Sequence, residues 1–93
     1  MCIRDSVKRA LLAAGRPVKD VAKHHGLGCD LLTEHIAGWL VLMEIKDGTK
    51  PPSERRLTDS EKELRAKFPR SFVEVLSIEE ALAAVGVVVG SAP

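Results

Sequence analysis

Apolar side chains follow a helical spacing in three segments of the chain and a strand-like spacing in four others. In the first helical segment, Val7, Leu11 and Ala14 fall on one face. Gly15 follows them and predicts the end of the helix, because glycine readily adopts the left-handed conformation of a helix C-cap. The pattern therefore predicts a short first helix.

A second helix is predicted by its N-terminal cap. Thr58 and Glu61 have the spacing of a capping box, in which the hydroxyl and the carboxylate each accept a backbone N–H at the start of a helix. Leu64 and Phe68 are predicted to face inward on this helix. Its end is expected before Pro69, because the residue that precedes a proline disfavours helical angles.

Ser77 and Glu80 repeat the capping-box spacing and predict a third helix. Its apolar residues share one face at helical spacing, which favours packing of that face against a sheet. These residues are Ile78, Ala81, Leu82 and Val85.

The four predicted strands lie in residues 17–22, directly after Asp30, in residues 39–46 and in residues 71–76. Residues 34–38, EHIAG, are predicted to form a hairpin turn between the second and third strands. The third strand, WLVLMEIK, is apolar on both faces at its centre, which is typical of a strand covered on both sides.

The predicted order is helix, strand, strand, strand, helix, strand, helix. It indicates an α/β fold with a central mixed sheet flanked by helices. Residues 47–56 contain glycine, two prolines and several charged side chains, and are predicted to form an exposed loop. Residues 86–93 form an apolar, glycine-bounded tail, for which a last short strand and a frayed end both remain open.

Length and charge limit the classes of function. The 93 residues suit one domain, and a net charge of +1 gives no global field that would attract the chain to nucleic acid or to a membrane. The apolar run of residues 39–43 is far below the roughly 20 residues of a membrane helix. Cys2 and Cys29 form no metal-ligand pattern and are too few for a disulfide scaffold, which favours the cytoplasm.

The first six residues, MCIRDS, resemble the translation of an adapter used to prepare sequencing libraries. This resemblance predicts that residues 1–6 are not native, that a domain spans residues 7–85, and that residues 86–93 are a tail. A genuine short N-terminus is the alternative.

Charged side chains in the third strand and before the second one suggest a site. Residues two apart in a strand share a face, so Glu44 and Lys46 are predicted to project together, opposite to Met43 and Ile45. Asp30 lies fourteen positions before Glu44, a separation that suits two strands of a hairpin and would bring the two carboxylates together. Two carboxylates are a typical donor set for Mg²⁺ or Mn²⁺, and Lys46 would offset negative charge beside them.

These residues carry a family resemblance. GLGCDLL, with its aspartate fourteen positions before the glutamate of EIKDG, resembles the PD-(D/E)xK nuclease signature. More narrowly, LMEIKDGTKPPSERRLTDSEKEL followed by VEVLSIEEALAAV is similar to the VRR-NUC group and to phage proteins of the Holliday-junction-resolvase type. The resemblance extends over residues 7–85.

The resemblance implies a restriction-endonuclease-like core and a Mg²⁺- or Mn²⁺-dependent endonuclease that acts on branched DNA as a homodimer. It implies that Asp30 and Glu44 are metal ligands, that the Ile45 carbonyl is a further ligand, and that Lys46 is the catalytic lysine. Two positions depart from the family. Cys29 replaces the usual proline before the aspartate, and the family's first-helix acid falls in residues 1–6, where Asp5 is the only acid.

Several alternatives remain open at this stage. A nucleic-acid-binding or assembly module with impaired catalysis is favoured by the missing first-helix acid. A purely structural interpretation treats Glu44 and Lys46 as a surface ion pair worth under about 1 kcal/mol. The loop residues Lys50, Arg55 and Arg56 are predicted either to contact phosphate or to be merely solvated.

Four other side chains have a functional and a structural interpretation. For His24 and His25 a surface loop is favoured over a metal site, because no Cys or acidic partner lies at ligand spacing. For Cys29 a buried thiol is favoured over a nucleophile. For Trp39 a core position or a subunit contact is favoured over stacking on a nucleotide.

Overall fold

The chain forms a four-stranded mixed sheet with three helices, in a computed structural model that describes residues 3–23, 27–54 and 56–88. The order of helices and strands confirms the predicted α/β arrangement, with a single turn of 3-10 helix, Pro52–Glu54, added in the loop. The elements are α1 (Ile3–Ala13), β1 (Val18–Asp20), β2 (Leu31–Glu34), β3 (Leu40–Ile45), α2 (Asp59–Lys67), β4 (Phe72–Val75) and α3 (Ile78–Ala84).

The strands are ordered β1-β2-β3-β4 across the sheet. β2 pairs with both β1 and β3 in antiparallel fashion, and β3 pairs with β4 in parallel. The parallel pair needs a crossover connection, which α2 provides. β3 is therefore an interior strand, and its residues from Val41 to Ile45 are all buried, as the apolar pattern predicted.

The two faces of the sheet carry separate cores. α1 and α3 cover one face, here called the α1/α3 face, whose buried residues are Val7, Leu11, Leu31, Val41, Met43, Ile45, Val75, Ala81 and Val85. The other face, here called the α2 face, has a smaller core of Val21, Cys29, Leu42 and Phe72, against which Leu32, Leu57 and Leu64 pack. On the α2 face, the apolar side chains of β3 end with Leu42, and the charged side chains of Glu44 and Lys46 follow. This leaves room for a polar site at that end of the strand.

The predicted helix ends are largely confirmed. α1 ends before Gly15, which has a φ of 79°. The helix begins at Ile3, so the predicted boundary between residues 6 and 7 falls inside it. α2 has the full capping box of Thr58 and Glu61.

The inward orientation of Phe68 is wrong. Leu64 packs on the sheet, whereas Phe68 is 51% exposed. Phe68 is the C-cap of α2, with a φ of −128° and a ψ of 61°, and these non-helical angles take it off the helical repeat on which the prediction rested.

The cap of α3 is only half of the predicted box. The Ser77 hydroxyl accepts the Glu80 N–H, as expected, but the Glu80 carboxylate accepts the N–H of Leu76 rather than that of Ser77.

The hairpin turn lies one position later than predicted, because β2 extends through Glu34. His35 donates its backbone N–H to the carbonyl of Trp39 to close the loop. The core position favoured for Trp39 is wrong, since this side chain is 51% exposed and stacks on the His35 ring with a centroid distance of 3.9 Å.

Within the described ranges, none of the helices is long and apolar enough to cross a membrane. Residues 86–88 of the predicted tail form no strand, and residues 89–93 lie outside the described residues. His24, His25 and Arg55 also lie outside them.

Candidate functional site

A polar cluster lies on the α2 face beyond the apolar residues of β3. Leu42, Glu44 and Lys46 share this face because side chains alternate along the strand. Glu44 is only 4% exposed, and the Lys46 side chain is 16% exposed. The interpretation of these two residues as a surface ion pair is therefore wrong.

Asp30 lies directly across the sheet from Glu44. Its backbone N–H donates to the carbonyl of Met43, and Leu31 pairs with Met43 in the β2–β3 ladder. The Asp30 carboxylate accepts the N–H of Ile45 through Oδ2 at 2.9 Å. The structure thus brings Asp30 and Glu44 together on one face, at the level of the last two residues of β3.

Glu61 of α2 completes the cluster. The ammonium of Lys46 lies 3.1 Å from Glu61 Oε1 and 3.3 Å from Oε2. It lies 3.6 Å from Glu44 Oε1. The cluster therefore combines three carboxyl groups, from the segment before β2, from β3 and from α2, with one lysine.

The capping box places Glu61 over the sheet. Its carboxylate accepts the Thr58 N–H at 2.7 Å, while its own N–H donates to the Thr58 hydroxyl at 3.2 Å. The first turn of α2 lies close to the segment before Asp30, because a Cβ added to Gly28 would be 2.5 Å from the Ser60 carbonyl oxygen. Gly28 has a φ of 94°, so glycine meets both the conformational and the spatial requirement.

Sequence reasoning assigned Glu61 to the helix cap and did not place it in the site. The same side chain does both, because the N3 position of a capping box points back toward the start of the helix, and here that start lies over the end of β3. The available signal was the position of the box at the end of the loop that follows Glu44 and Lys46.

Burial raises the pKa of the Glu44 carboxyl to about 9. Hydrogen bonding to Glu61 and the charge and hydrogen bonding of Asp30 act in the same direction. Glu44 is therefore protonated at neutral pH and donates a hydrogen bond within the cluster. Its contact with Lys46 at 3.6 Å is consequently one between an ammonium and a neutral carboxyl group, and Glu61 is the anion that pairs with Lys46.

Glu61 and Lys46 remain charged. Burial raises the pKa of Glu61, but hydrogen bonds from Glu44, Thr58 and Lys46 outweigh burial, and the net pKa lies below its ordinary value. Burial lowers the pKa of Lys46, but the hydrogen bond to Glu61 and the nearby carboxyl groups outweigh it, and the net pKa lies above its ordinary value. The pair is thus ionised across the neutral range.

Cys29 lies beneath the cluster in the core of the α2 face. Burial, followed by the charges of Glu44 and Asp30, raises the pKa of its thiol to about 11. A thiol held protonated in this way is a poor nucleophile, so the predicted buried thiol is confirmed.

The remaining residues of the predicted site are spread around this cluster. Ile45 contacts it through its N–H, which binds Asp30. Lys50 and Arg56 are exposed in the loop after β3. Asp5 is exposed on α1, which packs on the opposite face of the sheet, so Asp5 is not part of the cluster.

The donor chemistry of Asp30 and Glu44 fits a hard divalent cation. Mg²⁺ is usually held by one or two carboxylates, with water and substrate phosphate as its other ligands. The mutual repulsion of these two carboxyl groups, which a proton on Glu44 now relieves, would equally be relieved by a cation. In residues 3–23, 27–54 and 56–88, no set of three or more His, Cys, Asp or Glu side chains is arranged to hold a metal ion.

Comparison with known proteins gives no match to a family model, to a curated protein or to a solved structure.

Proposed function

We propose that this chain is a divalent-metal-dependent DNA endonuclease that hydrolyses phosphodiester bonds in branched DNA. The observation that supports it most strongly is the convergence of Asp30 and Glu44 beside Lys46 in a largely buried cluster. Ionisable groups are rarely buried unless they are paired, and groups with strongly perturbed pKa values are concentrated at functional sites. The similarity of the flanking sequence to PD-(D/E)xK nucleases adds the reaction class and the restriction-endonuclease-like core to the proposal.

Each residue has a distinct role in this proposal. Asp30 and Glu44 would hold Mg²⁺ or Mn²⁺, with the Ile45 carbonyl as a further ligand. The metal would polarise the phosphodiester and lower the pKa of a bound water. The water, after giving a proton to solvent, would attack phosphorus through its oxygen, the bond to the leaving sugar oxygen would break, and that oxygen would take up a proton from solvent. The Lys46 ammonium, which lies 3.6 Å from the Glu44 carboxyl, would offset the negative charge that develops on the phosphate.

The loop after β3 is the proposed DNA contact. Lys50 and Arg56 are exposed there, and Arg55 lies between these two residues in sequence. Because the chain as a whole carries a net charge of only +1, binding of DNA would depend on such a local group of cations and would weaken steeply with salt. A homodimer is the proposed assembly, since two copies would present two sites to the two arms of a junction.

A cleavage assay on a four-way DNA junction tests the proposal. We expect the wild type to nick the junction with Mg²⁺ or Mn²⁺ and not in the presence of EDTA. We expect Asp30→Asn and Glu44→Gln each to lower the rate by about a hundredfold. Glu74→Gln is the matched control, because Glu74 is an exposed residue opposite Glu44 on the neighbouring strand β4. Cleavage by Glu44→Gln at the wild-type rate would refute the assignment.

The second candidate is a nucleic-acid-binding or assembly module that has lost catalysis. The observation that favours it is the position of Asp5, which is remote from the cluster and leaves no first-helix acid there. The two candidates differ in one result of the same experiment. Retained junction binding in a gel-shift assay, with no cleavage in either metal, would favour the binding module, and loss of both would exclude the two together.

A further inference from the structure

We propose that Glu61 is a positioning residue that holds the Lys46 ammonium beside the Glu44 carboxyl, so that the capping box of α2 is part of the site. The catalytic consequence of this inference rests on the proposed nuclease function. Its geometric content, that Glu61 fixes the location of Lys46, is independent of that function.

The contacts of Glu61 define a positioning role. Oε1 lies 3.1 Å from the Lys46 ammonium and 2.7 Å from the Thr58 nitrogen, and Oε2 lies 3.3 Å from the same ammonium. Both carboxylate oxygens are therefore engaged by protein donors. A side chain whose oxygens are taken in this way serves to orient its partner.

Glu61 is also held in place from both ends. Its backbone is fixed by the hydrogen bond of its N–H to the Thr58 hydroxyl, and its carboxylate by the Thr58 N–H. The first turn of α2 in turn abuts Gly28, two positions before Asp30. A lysine has four rotatable side-chain bonds and a large conformational entropy, and an anchored anion reduces the number of positions that its ammonium can occupy.

The second capping glutamate of the chain shows that the cap itself does not need a lysine. Glu80 occupies the same position in α3, where its N–H donates to Ser77 and its carboxylate accepts the N–H of Leu76. Glu80 is exposed, whereas Glu61 is buried. The contact with Lys46 is therefore a feature of Glu61 beyond helix capping, and Glu80 offers a matched control.

The test compares Glu61→Ala, Glu61→Gln and Glu80→Ala with the wild type in two measurements. The first is the rate at which the Lys46 amine is methylated by limiting formaldehyde and a borohydride reductant, followed by peptide mass spectrometry. We expect Glu61→Ala to speed this reaction at Lys46 relative to the exposed lysines, and Glu80→Ala to leave it unchanged. Circular dichroism establishes that each variant is folded.

The second measurement is steady-state cleavage of the junction. We expect Glu61→Ala to lower kcat by about tenfold to a hundredfold with little change in KM, because a misplaced catalytic group costs rate and not binding. We expect Glu61→Gln, which keeps an acceptor oxygen for both Thr58 and Lys46, to recover part of this loss. Glu80→Ala should cleave as the wild type does, although it loses a comparable cap.

The outcomes separate the two proposals. Equal reactivity of Lys46 in Glu61→Ala and the wild type overturns the positioning role, whether or not any variant cleaves DNA. A faster reaction at Lys46 without cleavage by the wild type supports the placement of the lysine and overturns the nuclease assignment. Equal losses of kcat in Glu61→Ala and Glu80→Ala would show an effect of helix capping alone and would also overturn the inference.

Discussion

The buried neutral carboxyl of Glu44 leads to a prediction about how stability depends on pH. The pKa of Glu44 is about 9 in the folded chain, against an ordinary value of 4.5. Below the lower value both the folded and the unfolded chains are protonated at this site. Between the two values only the folded chain holds the proton, so the contribution of Glu44 to stability declines as the pH rises and is lost above the folded pKa.

The perturbation that isolates this effect is Glu44→Gln. The amide has nearly the shape of a protonated carboxyl and can donate a hydrogen bond to Glu61 in the same way, but it does not titrate. The difference in free energy of unfolding, wild type minus variant, should therefore fall by about 1.4 kcal/mol per pH unit. Between about pH 6 and about pH 8 the difference should change by about 2.7 kcal/mol, in favour of the variant at the higher pH.

Urea denaturation followed by far-ultraviolet circular dichroism, in EDTA, measures this difference at each pH. Circular dichroism is preferable to fluorescence because Trp39, the single tryptophan, is 51% exposed and lies at the far end of β3 from Glu44. Titrations common to both proteins cancel in the difference. Glu74→Gln, the same substitution at an exposed position, is the control. A difference between wild type and Glu44→Gln that stays constant over this pH range would refute the buried neutral carboxyl.

Three further outcomes are expected. Gly28→Ala should destabilise the fold by more than Gly15→Ala. Both glycines have a positive φ, which costs about 1 to 2 kcal/mol for a residue with a side chain, but of the two only Gly28 would bring its new Cβ against backbone, at 2.5 Å. Equal losses of stability in thermal melts would contradict this expectation. Lys46→Met should lower the free energy of unfolding in urea by about 3 kcal/mol, because it leaves the Glu61 carboxylate buried without its partner. Adding Glu61→Gln to this variant should recover part of the lost stability. Simple additivity of the two changes in free energy would argue against the pair. Binding of Mn²⁺ at neutral pH should release a proton from Glu44. Calorimetry would show this release as a binding enthalpy that varies with the ionisation enthalpy of the buffer. A binding enthalpy that is independent of the buffer would exclude Glu44 as a ligand.

Local patterns in the sequence predicted most of the fold. Alternation in β3 separated the two faces correctly, and Thr58 with Glu61 identified the start of α2, because both depend on interactions within a few residues. The errors at Phe68 and Trp39 have a different origin. Hydrophobicity predicts burial on average, but whether a given apolar side chain is covered depends on where the neighbouring element ends, and that is a tertiary property.

The candidate site was predictable in part for the same reason. The separation of Asp30 and Glu44 suited a hairpin, and the structure places the two opposite each other. The contribution of Glu61 depends on how α2 crosses the end of the sheet, which no spacing within the chain reveals. The protonation of Glu44 likewise follows from burial and from two neighbours distant in sequence, Asp30 and Glu61.

The register of the β2–β3 hairpin makes loop length a determinant of the site. The loop between the strands lies at the far end of both strands from Asp30 and Glu44, and it contacts neither. A change of loop length that shifted the pairing by one residue would set Asp30 opposite Met43 or Ile45, whose side chains belong to the other face of the sheet. Selection on this site would therefore tolerate changes of residue type within the loop while rejecting insertions and deletions that shift this register. Such a pattern of permitted and forbidden loop lengths could be scored in a combinatorial library without knowledge of the substrate.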